Sequence, residues 1–407
     1  MREQSLRDSA SRERAVTLGP DTVAIPEPLL LAHARGEVLF VAGAGISKPA
    51  GLPDFKGLVL RVYEALDLPV HAVLERIVES QNPDYVDRSA LFSPQAAEVK
   101  RFEKGEYDVV LGLIERRMEG QTLGRSRVRQ EVAEVLRNPD VKPAPIHRAL
   151  MRLADRGGLV TIVTTNFELL LEDAGKGLKL RPVVQTYSLG GIPRPSYRED
   201  FAGVLHIHGA LDRNPDRTSD LILTDQDFGE FYLRRRVVPD FIYDAARLYN
   251  LVLVGYSADD PPMRYLLNAV DADFTRFGDL KERFAFVGNS APDSVELEDW
   301  KGRGITPIAY DSANDHSALL ETLRRWAALS AINGKRTLVD AVVKRTVRTA
   351  RAESDQADRD LFDHLIRRAD ANERSRLAAL AGGQGADYGW LDAITAIAME
   401  REQERRR

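Results

Sequence analysis

Two side chains and one glycine turn each follow a short apolar run and have residue types suited to proton transfer, ligand orientation and phosphate binding. His208 carries an imidazole, whose ordinary pKa of about 6.5 lets it accept a proton near neutral pH. Asn166 carries an amide, which can orient a ligand or cap a helix. Gly43 and Gly45 allow a backbone to approach a ligand closely, and N–H groups that lead into a helix can bind phosphate.

The glycine turn does not match two common phosphate-binding patterns. A dinucleotide fingerprint needs a third glycine at position 48, which is Lys48. A P-loop needs Gly-Lys followed by Ser or Thr, and none follows. Gly43-x-Gly45 alone is therefore a weak signal, equally typical of a structural turn.

Short apolar runs, many rich in β-branched residues, predict the strands that position these residues. The runs are 38–42, 159–163, 204–207, 251–254, 284–287 and 305–310. Amphipathic stretches lie between them, which is typical of an α/β fold with a parallel sheet and helices on both faces. Open sheets of this kind bind ligands at the carboxyl ends of their strands, where His208 and Asn166 fall.

The spacing of the runs predicts the organisation of the chain. Residues 1–28 are polar and predict a flexible N-terminal arm, and residues 29–332 form the sheet domain. Within that domain, a helical insertion is expected over about 57–145, and an ordered loop region over 176–202. After residue 332 the composition shifts to Arg, Asp and Ala, which indicates a small helical C-terminal domain and charged tail over 333–407.

The residues after the first run extend the glycine turn into a longer motif. Residues 43–55 read Gly-Ala-Gly-Ile-Ser-Lys-Pro-Ala-Gly-Leu-Pro-Asp-Phe. This resembles the NAD-binding loop of the sirtuin (Sir2) family, Gly-Ala-Gly-x-Ser-x-x-Ala-Gly-Ile-Pro-Asp-Phe-Arg. Only Leu52 and Lys56 depart, and both departures are mild. The resemblance implies a Rossmann-like doubly wound sheet and an NAD-dependent activity.

Three further segments resemble sirtuin motifs in the same order along the chain. Residues 164–168, Thr-Thr-Asn-Phe-Glu, resemble Thr-Gln-Asn-Ile-Asp, in which the Asn positions the nicotinamide ribose and a water. Phe167 and Glu168 depart at the pair that receives the carboxamide. Residues 208–209, His-Gly, resemble the pair that supplies the catalytic base, and residues 254–257, Val-Gly-Tyr-Ser, resemble the Gly-Thr-Ser segment that contacts the adenosine ribose.

These matches imply a role for individual residues. Asn166 and His208 are the implied catalytic residues, with His208 as general base and Asn166 orienting ribose or water. Contacts with the dinucleotide are implied for residues of the same motifs: Gly43, Ala44, Gly45, Ser47, Asp54, Phe55, Thr165, Gly255 and Ser257. The implied substrate is NAD⁺, and no metal is expected.

One sirtuin feature is missing. Deacylating sirtuins carry four cysteines for a structural zinc between the catalytic His and the Gly-Thr-Ser strand, and this chain has no cysteine. The pattern is similar to the zinc-free Sir2-like domains of bacterial anti-phage defence, which hydrolyse NAD⁺ to nicotinamide and ADP-ribose. That similarity implies an NADase effector that depletes NAD⁺ and acts with a partner protein, a HerA-type ATPase or a short Argonaute. The length of the chain favours the HerA-type ATPase, and a homo-oligomer is expected. Gating is expected because an ungated NADase would deplete the NAD⁺ of its own host.

Two alternatives stay open at the level of the sequence. The same site could serve an NAD-dependent protein deacylase or an ADP-ribosyltransferase, although the missing zinc module argues against a peptide substrate. The chain could also be a non-enzymatic NAD or ADP-ribose sensor or a scaffold. The presence of both Asn166 and His208 counts against a sensor, because binding alone does not require them.

Composition excludes several classes of protein. With 407 residues, 43% of them hydrophobic, the chain can bury a core without disulfides, and the lack of cysteine excludes thiol catalysis and iron–sulfur clusters. A net charge of −5 gives no chain-wide basic field for nucleic acid. Residues 1–20 have no apolar segment typical of a signal peptide, and no run reaches 18 apolar residues. A cytoplasmic protein without nucleic-acid or membrane binding is expected.

Overall fold

The fold is built on a seven-stranded sheet whose strand pairs are all parallel. The structure is a computed structural model, and it describes residues 14–80, 86–119, 126–178, 180, 184–196, 200–211, 221–256, 280–289 and 295–406. In chain order the strands of the described residues are β1 (Ala15–Thr17), β2 (Ala24–Pro26), β3 (Val38–Ala42), β4 (Thr161–Thr164), β5 (Thr186–Ser188), β6 (Gly203–His206), β7 (Asn250–Val254), β8 (Arg283–Asn289) and β9 (Thr306–Asp311).

The order of the strands in the large sheet is β5-β6-β4-β3-β7-β8-β9. From β3 the chain first runs outwards to one side, through β4, and later returns to the other side of β3 at β7. The register pairs Phe40 of β3 with Ile162 of β4 and with Val252 of β7. A switch of direction therefore lies between β3 and β7, and α/β sheets of this type open a ligand crevice at such a point.

Helices cover both faces of the sheet. In chain order those of the described residues are α1 (Glu27–Ala34), α2 (Phe55–Leu66), α3 (Leu68–Glu79), α4 (Ser93–Glu103), α5 (Tyr107–Glu119), α6 (Arg127–Leu136), α7 (Pro145–Ala154), α8 (Leu170–Gly177), α9 (Asp225–Phe228), α10 (Val237–Leu248), α11 (Val295–Gly302), α12 (Ala313–Leu329), α13 (Arg336–Thr346), α14 (Gln356–Arg368), α15 (Ala371–Gly383) and α16 (Tyr388–Arg406). A π-helical turn, Gly229–Arg234, follows α9 directly.

The central strand shows why a continuous apolar run marks a strand in this fold. Phe40 and Ala42 of β3 belong to the core under α1, α7, α8 and α12, whereas Leu39 and Val41 belong to the core under α10 and α11. Because both faces are covered, both sets of side chains must be apolar. This architecture confirms the predicted α/β fold with a doubly wound parallel sheet.

The N-terminal region differs from the expected flexible arm over 1–28. Residues 14–28 contain an antiparallel hairpin of β1 and β2 and the start of α1. Val16, Leu18 and Ile25 are at most 1% exposed and join the core of the sheet domain. These apolar side chains are enough to order a segment that is otherwise polar, while residues 1–13 lie outside the described part of the chain.

The stretch between β3 and β4 holds α2 to α7, and α2 to α6 have a core of their own. That core contains Val59, Tyr63 and Ile114, and it also takes in Phe167, which follows β4. A buried cluster supports it: Arg117 contacts Glu98 at 2.7 Å and Asp67 at 2.7 Å. The helical insertion is thus packed onto the carboxyl end of the sheet.

The C-terminal helices share a core with the sheet domain. Phe362 and Trp390, both 0% exposed, belong to the same apolar cluster as Phe40 of β3. Arg367 of α14 also pairs with Glu27 of α1 at 2.5 Å. The helical C-terminal segment predicted for 333–407 therefore packs against the N-terminal hairpin and α1. Among the described helices none is long and apolar enough to cross a bilayer.

Candidate active site

A cleft lies at the carboxyl end of the sheet, beneath the helical insertion. The space in it that water-sized molecules can enter is about 60 Å³, and the empty volume with the open mouth included is about 580 Å³. The lining combines apolar residues of the insertion with polar residues that follow β3, β4 and β6. These residues are Ala44, Ser47, Leu52, Pro53, Asp54, Phe55, Leu58, Leu136, Thr165, Asn166, Phe167, Glu168, His208 and Ile222.

The glycine turn holds β3 and β7 together behind this cleft. The N–H groups of Gly43 and Gly45 donate to the carbonyls of Val254 and Gly255, both at 2.9 Å. A Cβ on Gly45 would stand 2.8 Å from the Gly255 carbonyl oxygen, and Gly255 has a φ of +78°. Glycine is therefore required here by backbone packing. Phosphate binding by this turn stays a prediction, and Gly43, Gly45 and Gly255 are not among the residues that line the cleft.

Tyr256, which follows β7, packs against the contact between the glycine turn and the end of β7. Its hydroxyl donates to the carbonyl of Ala42 at 2.9 Å, so the Thr165 hydroxyl, 3.0 Å away, must donate to the tyrosine oxygen. The ring also fills the space in front of Gly43, where a Cβ would lie 2.5 Å from it. The predicted contact residue Ser257 lies outside the described residues.

Asn166 is fixed by hydrogen bonds at three points. Its backbone N–H donates to the Thr164 hydroxyl at 3.0 Å. Its side-chain Nδ2 lies 3.3 Å from the Gly43 carbonyl, 3.2 Å from Ser47 Oγ and 3.0 Å from Glu168 Oε1. Since these partners occupy the amide nitrogen, the Oδ1 atom is the acceptor that Asn166 has left for a substrate.

Ser47 links Asn166 to two further side chains. Its hydroxyl donates to Glu168 Oε1 at 2.5 Å and lies 3.2 Å from His147 Nε2. The Nδ1 atom of His147 accepts the backbone N–H of Ala144 at 3.1 Å. A neutral imidazole has one N–H, so in this ring it sits on Nε2 and donates to Ser47. Burial also lowers the pKa of His147 to about 4, which keeps the ring neutral at pH 7.

Glu168 is buried beside these groups. Burial raises the pKa of its carboxyl group above the ordinary value, although the hydrogen bonds from Ser47 and Asn166 act in the opposite direction. Its side chain accepts hydrogen bonds from Ser47 and Asn166, which line the cleft with it. Phe167, the neighbouring departure from the sirtuin pattern, packs into the core of the helical insertion and lines the cleft as well.

Asp54 and Phe55 stand at the cleft mouth, where α2 begins. Asp54 caps that helix by accepting the Gly57 N–H at 2.8 Å, and it pairs with Lys48 at 2.7 Å. Partial burial acts to raise the pKa of Asp54, but these two partners outweigh it and the pKa is lowered. Asp54 is therefore ionised at neutral pH, with a structural role already filled.

His208 follows β6, and its ring lies in an apolar setting beside Phe228 and Tyr232. It is 1% exposed, and its Nε2 lies 2.6 Å from the Tyr232 hydroxyl in the π-helical turn. Phe228 packs edge-on against the ring, with centroids 5.6 Å apart. Burial lowers the pKa of His208 to about 3, because no charged partner offsets the loss of water.

The structure thus brings most of the predicted site residues to one cleft and adds two that the sequence did not single out. Ala44, Ser47, Asp54, Phe55, Thr165, Asn166 and His208 line the cleft together. His147 and Tyr232 were missed because their partners, Ser47 and His208, lie 100 and 24 residues away in the chain. Within the described residues, no three His, Asp or Glu side chains converge as a metal site would require.

Comparison with known proteins gives a partial match to one family. Residues 160–308, from β4 into β9, match the model of the SIR2-like domain. An uncharacterized protein, y4cA, of Sinorhizobium fredii (strain NBRC 101917 / NGR234) is 32% identical over 401 residues; the match covers 93% of this chain but only 29% of that protein. The crystal structure of a Sir2 homolog–NAD complex aligns over 78% of this chain and 98% of its own, at 16% identity and a TM-score of 0.31. The similarity to the SIR2-like domain therefore covers residues 160–308.

Proposed function

We propose that this chain is an NAD⁺ glycohydrolase, which cleaves NAD⁺ to nicotinamide and ADP-ribose. The observation that carries the proposal is the convergence of Ser47, Asn166 and His208 on one cleft at the switch point of the sheet. The four sirtuin-like motifs, together with the match of residues 160–308 to the SIR2-like domain, indicate NAD⁺ as the substrate. The absence of cysteine removes the zinc module that deacylating sirtuins use.

The chemistry needs a water and a base on one side of the ribose. As the bond between C1′ and the nicotinamide nitrogen breaks, its electron pair leaves with nicotinamide and C1′ gains oxocarbenium character. The Asn166 Oδ1 atom would accept a hydrogen bond from the ribose or the attacking water. Water then bonds to C1′ and gives its proton to His208, a contribution of about 10²–10⁴-fold in rate.

The structure also bears on how such an activity would be gated. A base with a pKa near 3 is a poor proton acceptor, and the Nε2 atom of His208 is already engaged by Tyr232. Movement of the π-helical turn would free Nε2 and admit water, which would raise the pKa of His208 towards its ordinary value. This state therefore fits an enzyme at rest, as an NADase must be in its own host.

Product analysis tests the proposed function. The purified chain is incubated with NAD⁺ alone, and nicotinamide and ADP-ribose are followed by chromatography. We expect both products in equal amounts from the wild type, at a low basal rate because His208 is restrained, and none from Asn166→Ala. The matched control is Asn138→Ala in an exposed turn, which should behave as wild type. NAD⁺ binding without products, by wild type and in every assembly tested, would contradict the proposal.

The same experiment separates the alternatives. A deacylase or ADP-ribosyltransferase would consume NAD⁺ only when an acyl-lysine peptide or another acceptor is added. A sensor or scaffold would bind NAD⁺ or ADP-ribose and leave it intact. Free ADP-ribose formed without an acceptor is the outcome that only hydrolysis predicts.

The proposal extends to the cellular role implied by the zinc-free motif pattern. We propose a gated effector of bacterial anti-phage defence that acts as a homo-oligomer in the cytoplasm, with a HerA-type ATPase as partner protein. Light scattering of the purified chain, alone and mixed with such an ATPase, checks both the assembly and the partner. A monomer that neither binds the ATPase nor gains NADase activity from it would contradict this part.

A further inference from the structure

A second histidine lies on the side of Asn166 that faces away from the cleft. His206 is the last residue of β6 and is 0% exposed. Its Nδ1 lies 2.7 Å from the backbone carbonyl oxygen of Asn166. Its Nε2 lies 2.9 Å from Glu172 Oε1 on α8. No atom of His206 lines the cleft, so the ring does not meet a substrate there.

The two partners fix the protonation of this ring. The carbonyl oxygen can only accept a hydrogen bond, and so can the Glu172 oxygen as a carboxylate, so each ring nitrogen then carries a hydrogen. A neutral imidazole has only one, and the geometry therefore calls for an imidazolium beside a carboxylate. Glu172 is 4% exposed and also accepts a hydrogen bond from the Thr186 hydroxyl at 2.8 Å.

The electrostatics of the surroundings agree with this assignment. Burial alone would lower the pKa of His206, but the charge and hydrogen bond of Glu172 outweigh it and the pKa is raised above 6.5. Glu168, after β4, acts in the same direction from further away.

We propose that His206 and Glu172 are a positioning pair for the proposed NAD⁺ cleavage, which hold the Asn166 carbonyl so that its side chain faces the substrate. The imidazolium donates to that carbonyl, and Glu172 keeps the imidazole charged. Asn166 lies in a segment without regular structure between β4 and α8, so its orientation depends on individual bonds of this kind. The inference rests on the proposed function only where its test measures NAD⁺ cleavage.

A purely structural role would predict something different, and the chain contains a matched control. His364 on α14 and Glu27 on α1 form another buried pair, 3.4 Å apart and 5% and 6% exposed. That pair lies in the C-terminal helical region and does not line the cleft. Loss of either pair should lower stability, but only loss of the His206–Glu172 pair should change the catalytic pH profile.

The experiment compares Glu172→Gln with Glu27→Gln. In the wild type we expect kcat to fall as pH rises through the pKa of His206. In Glu172→Gln that fall should move to lower pH, with kcat at pH 7.5 reduced about 10–100-fold and KM little changed, as for other misplaced catalytic groups. Glu27→Gln should keep the wild-type profile. Thr186→Val, which removes only one hydrogen bond to Glu172, should shift the profile less in the same direction and serves if Glu172→Gln does not fold.

A structural readout separates failure of this inference from failure of the proposed function. By ¹⁵N NMR at pH 7, both ring nitrogens of His206 should be protonated in wild type, and the Asn166 side-chain amide resonances should shift in Glu172→Gln but not in Glu27→Gln. If the wild type cleaves no NAD⁺ in any assembly, the proposed function fails. These resonances then still test whether the His206–Glu172 pair is charged and positions Asn166. A singly protonated His206 ring, unshifted Asn166 resonances, or a wild-type pH profile in both Glu172→Gln and Thr186→Val would overturn the inference.

Discussion

At the carboxyl end of β6, the pKa values of two buried histidines are shifted in opposite directions. His206 and His208 are two residues apart and are 0% and 1% exposed. On the side of α8, Glu172 raises the pKa of His206; on the side of the π-helical turn, Phe228 and Tyr232 provide no charge, and the pKa of His208 falls to about 3. Burial alone therefore does not decide whether a histidine is charged, because the partner decides it.

A turn makes this difference possible. The strand ends at His206, and the Gly209 N–H donates back to the His206 carbonyl at 3.2 Å. A regular strand would place residues 206 and 208 on one face of the sheet. The turn instead sends one ring towards α8 and the other towards the π-helical turn, so a charged positioning group and a neutral base can stand close together.

The largest loss of stability is expected when the His206–Glu172 pair, on the side of α8, is broken. Glu172→Ala leaves the His206 imidazolium buried without its carboxylate, which should lower the free energy of unfolding by about 3–5 kcal/mol. Urea unfolding followed by circular dichroism measures this change. Glu230→Ala, which removes ion pairs with Arg234 and Arg235 on the surface, should change the free energy of unfolding far less, because solvent screens exposed pairs. Equal losses in the two variants would show that the pair is not charged.

The next effect concerns the pH dependence of stability. Since the pKa of His206 is raised in the folded state, its contribution is fully present below the unfolded pKa of about 6.5 and is lost as pH rises through the folded pKa. His208 has a lowered pKa, so its contribution is lost as pH falls from about 6.5 towards about 3.

Unfolding free energies of His206→Gln and His208→Gln, measured from pH 4 to pH 9, check these opposite signs. The first variant should lack the alkaline loss that wild type shows, and the second should lack part of the acid loss. Other groups with lowered pKa values, among them His33 and His147 at about 4, contribute to the acid loss that remains. If the free energy of unfolding had the same pH dependence in both variants, the pKa values of the two histidines would not be shifted in opposite directions.

The smallest effect is expected from Tyr232→Phe. It removes one hydrogen bond from His208 Nε2 and should lower the free energy of unfolding by about 0.5–1.5 kcal/mol. Because Nε2 is then free to accept a proton, basal NAD⁺ cleavage should rise. Steady-state nicotinamide release compares the variant with wild type, and Tyr243→Phe on α10 is the control. Lost cleavage in Tyr232→Phe would mean that Tyr232 assists His208 instead of restraining it.

The sheet could be predicted because burial on both faces leaves a clear mark in the sequence. All six apolar runs form strands, and the continuous run of β3 is the clearest case. β5 was missed: its Thr-Tyr-Ser sequence is short, partly exposed and placed where Pro and Gly suggested a loop. β1 and β2 were missed because three buried residues, Val16, Leu18 and Ile25, order a segment whose composition is polar.

The candidate site was predictable only where a motif lies within one segment of chain. Ser47, Asn166 and His208 each stand in a local pattern, and the cleft brings them together. His147 and Glu172 stand in no such pattern, because their contacts join segments far apart in the sequence. His206 is a hydrogen-bonded core residue, and the sequence could not show that its partner is the Asn166 carbonyl.

Nicotinamide release from NAD⁺ by wild type and His208→Ala, side by side, tests the central claim most directly. Calorimetric NAD⁺ binding is measured on both, and His71→Ala on α3 is the control. We expect cleavage by wild type and by His71→Ala, with His208→Ala slower by about 10²–10⁴-fold and still able to bind NAD⁺. Cleavage by His208→Ala at the wild-type rate would contradict the assignment of the base and of the cleft.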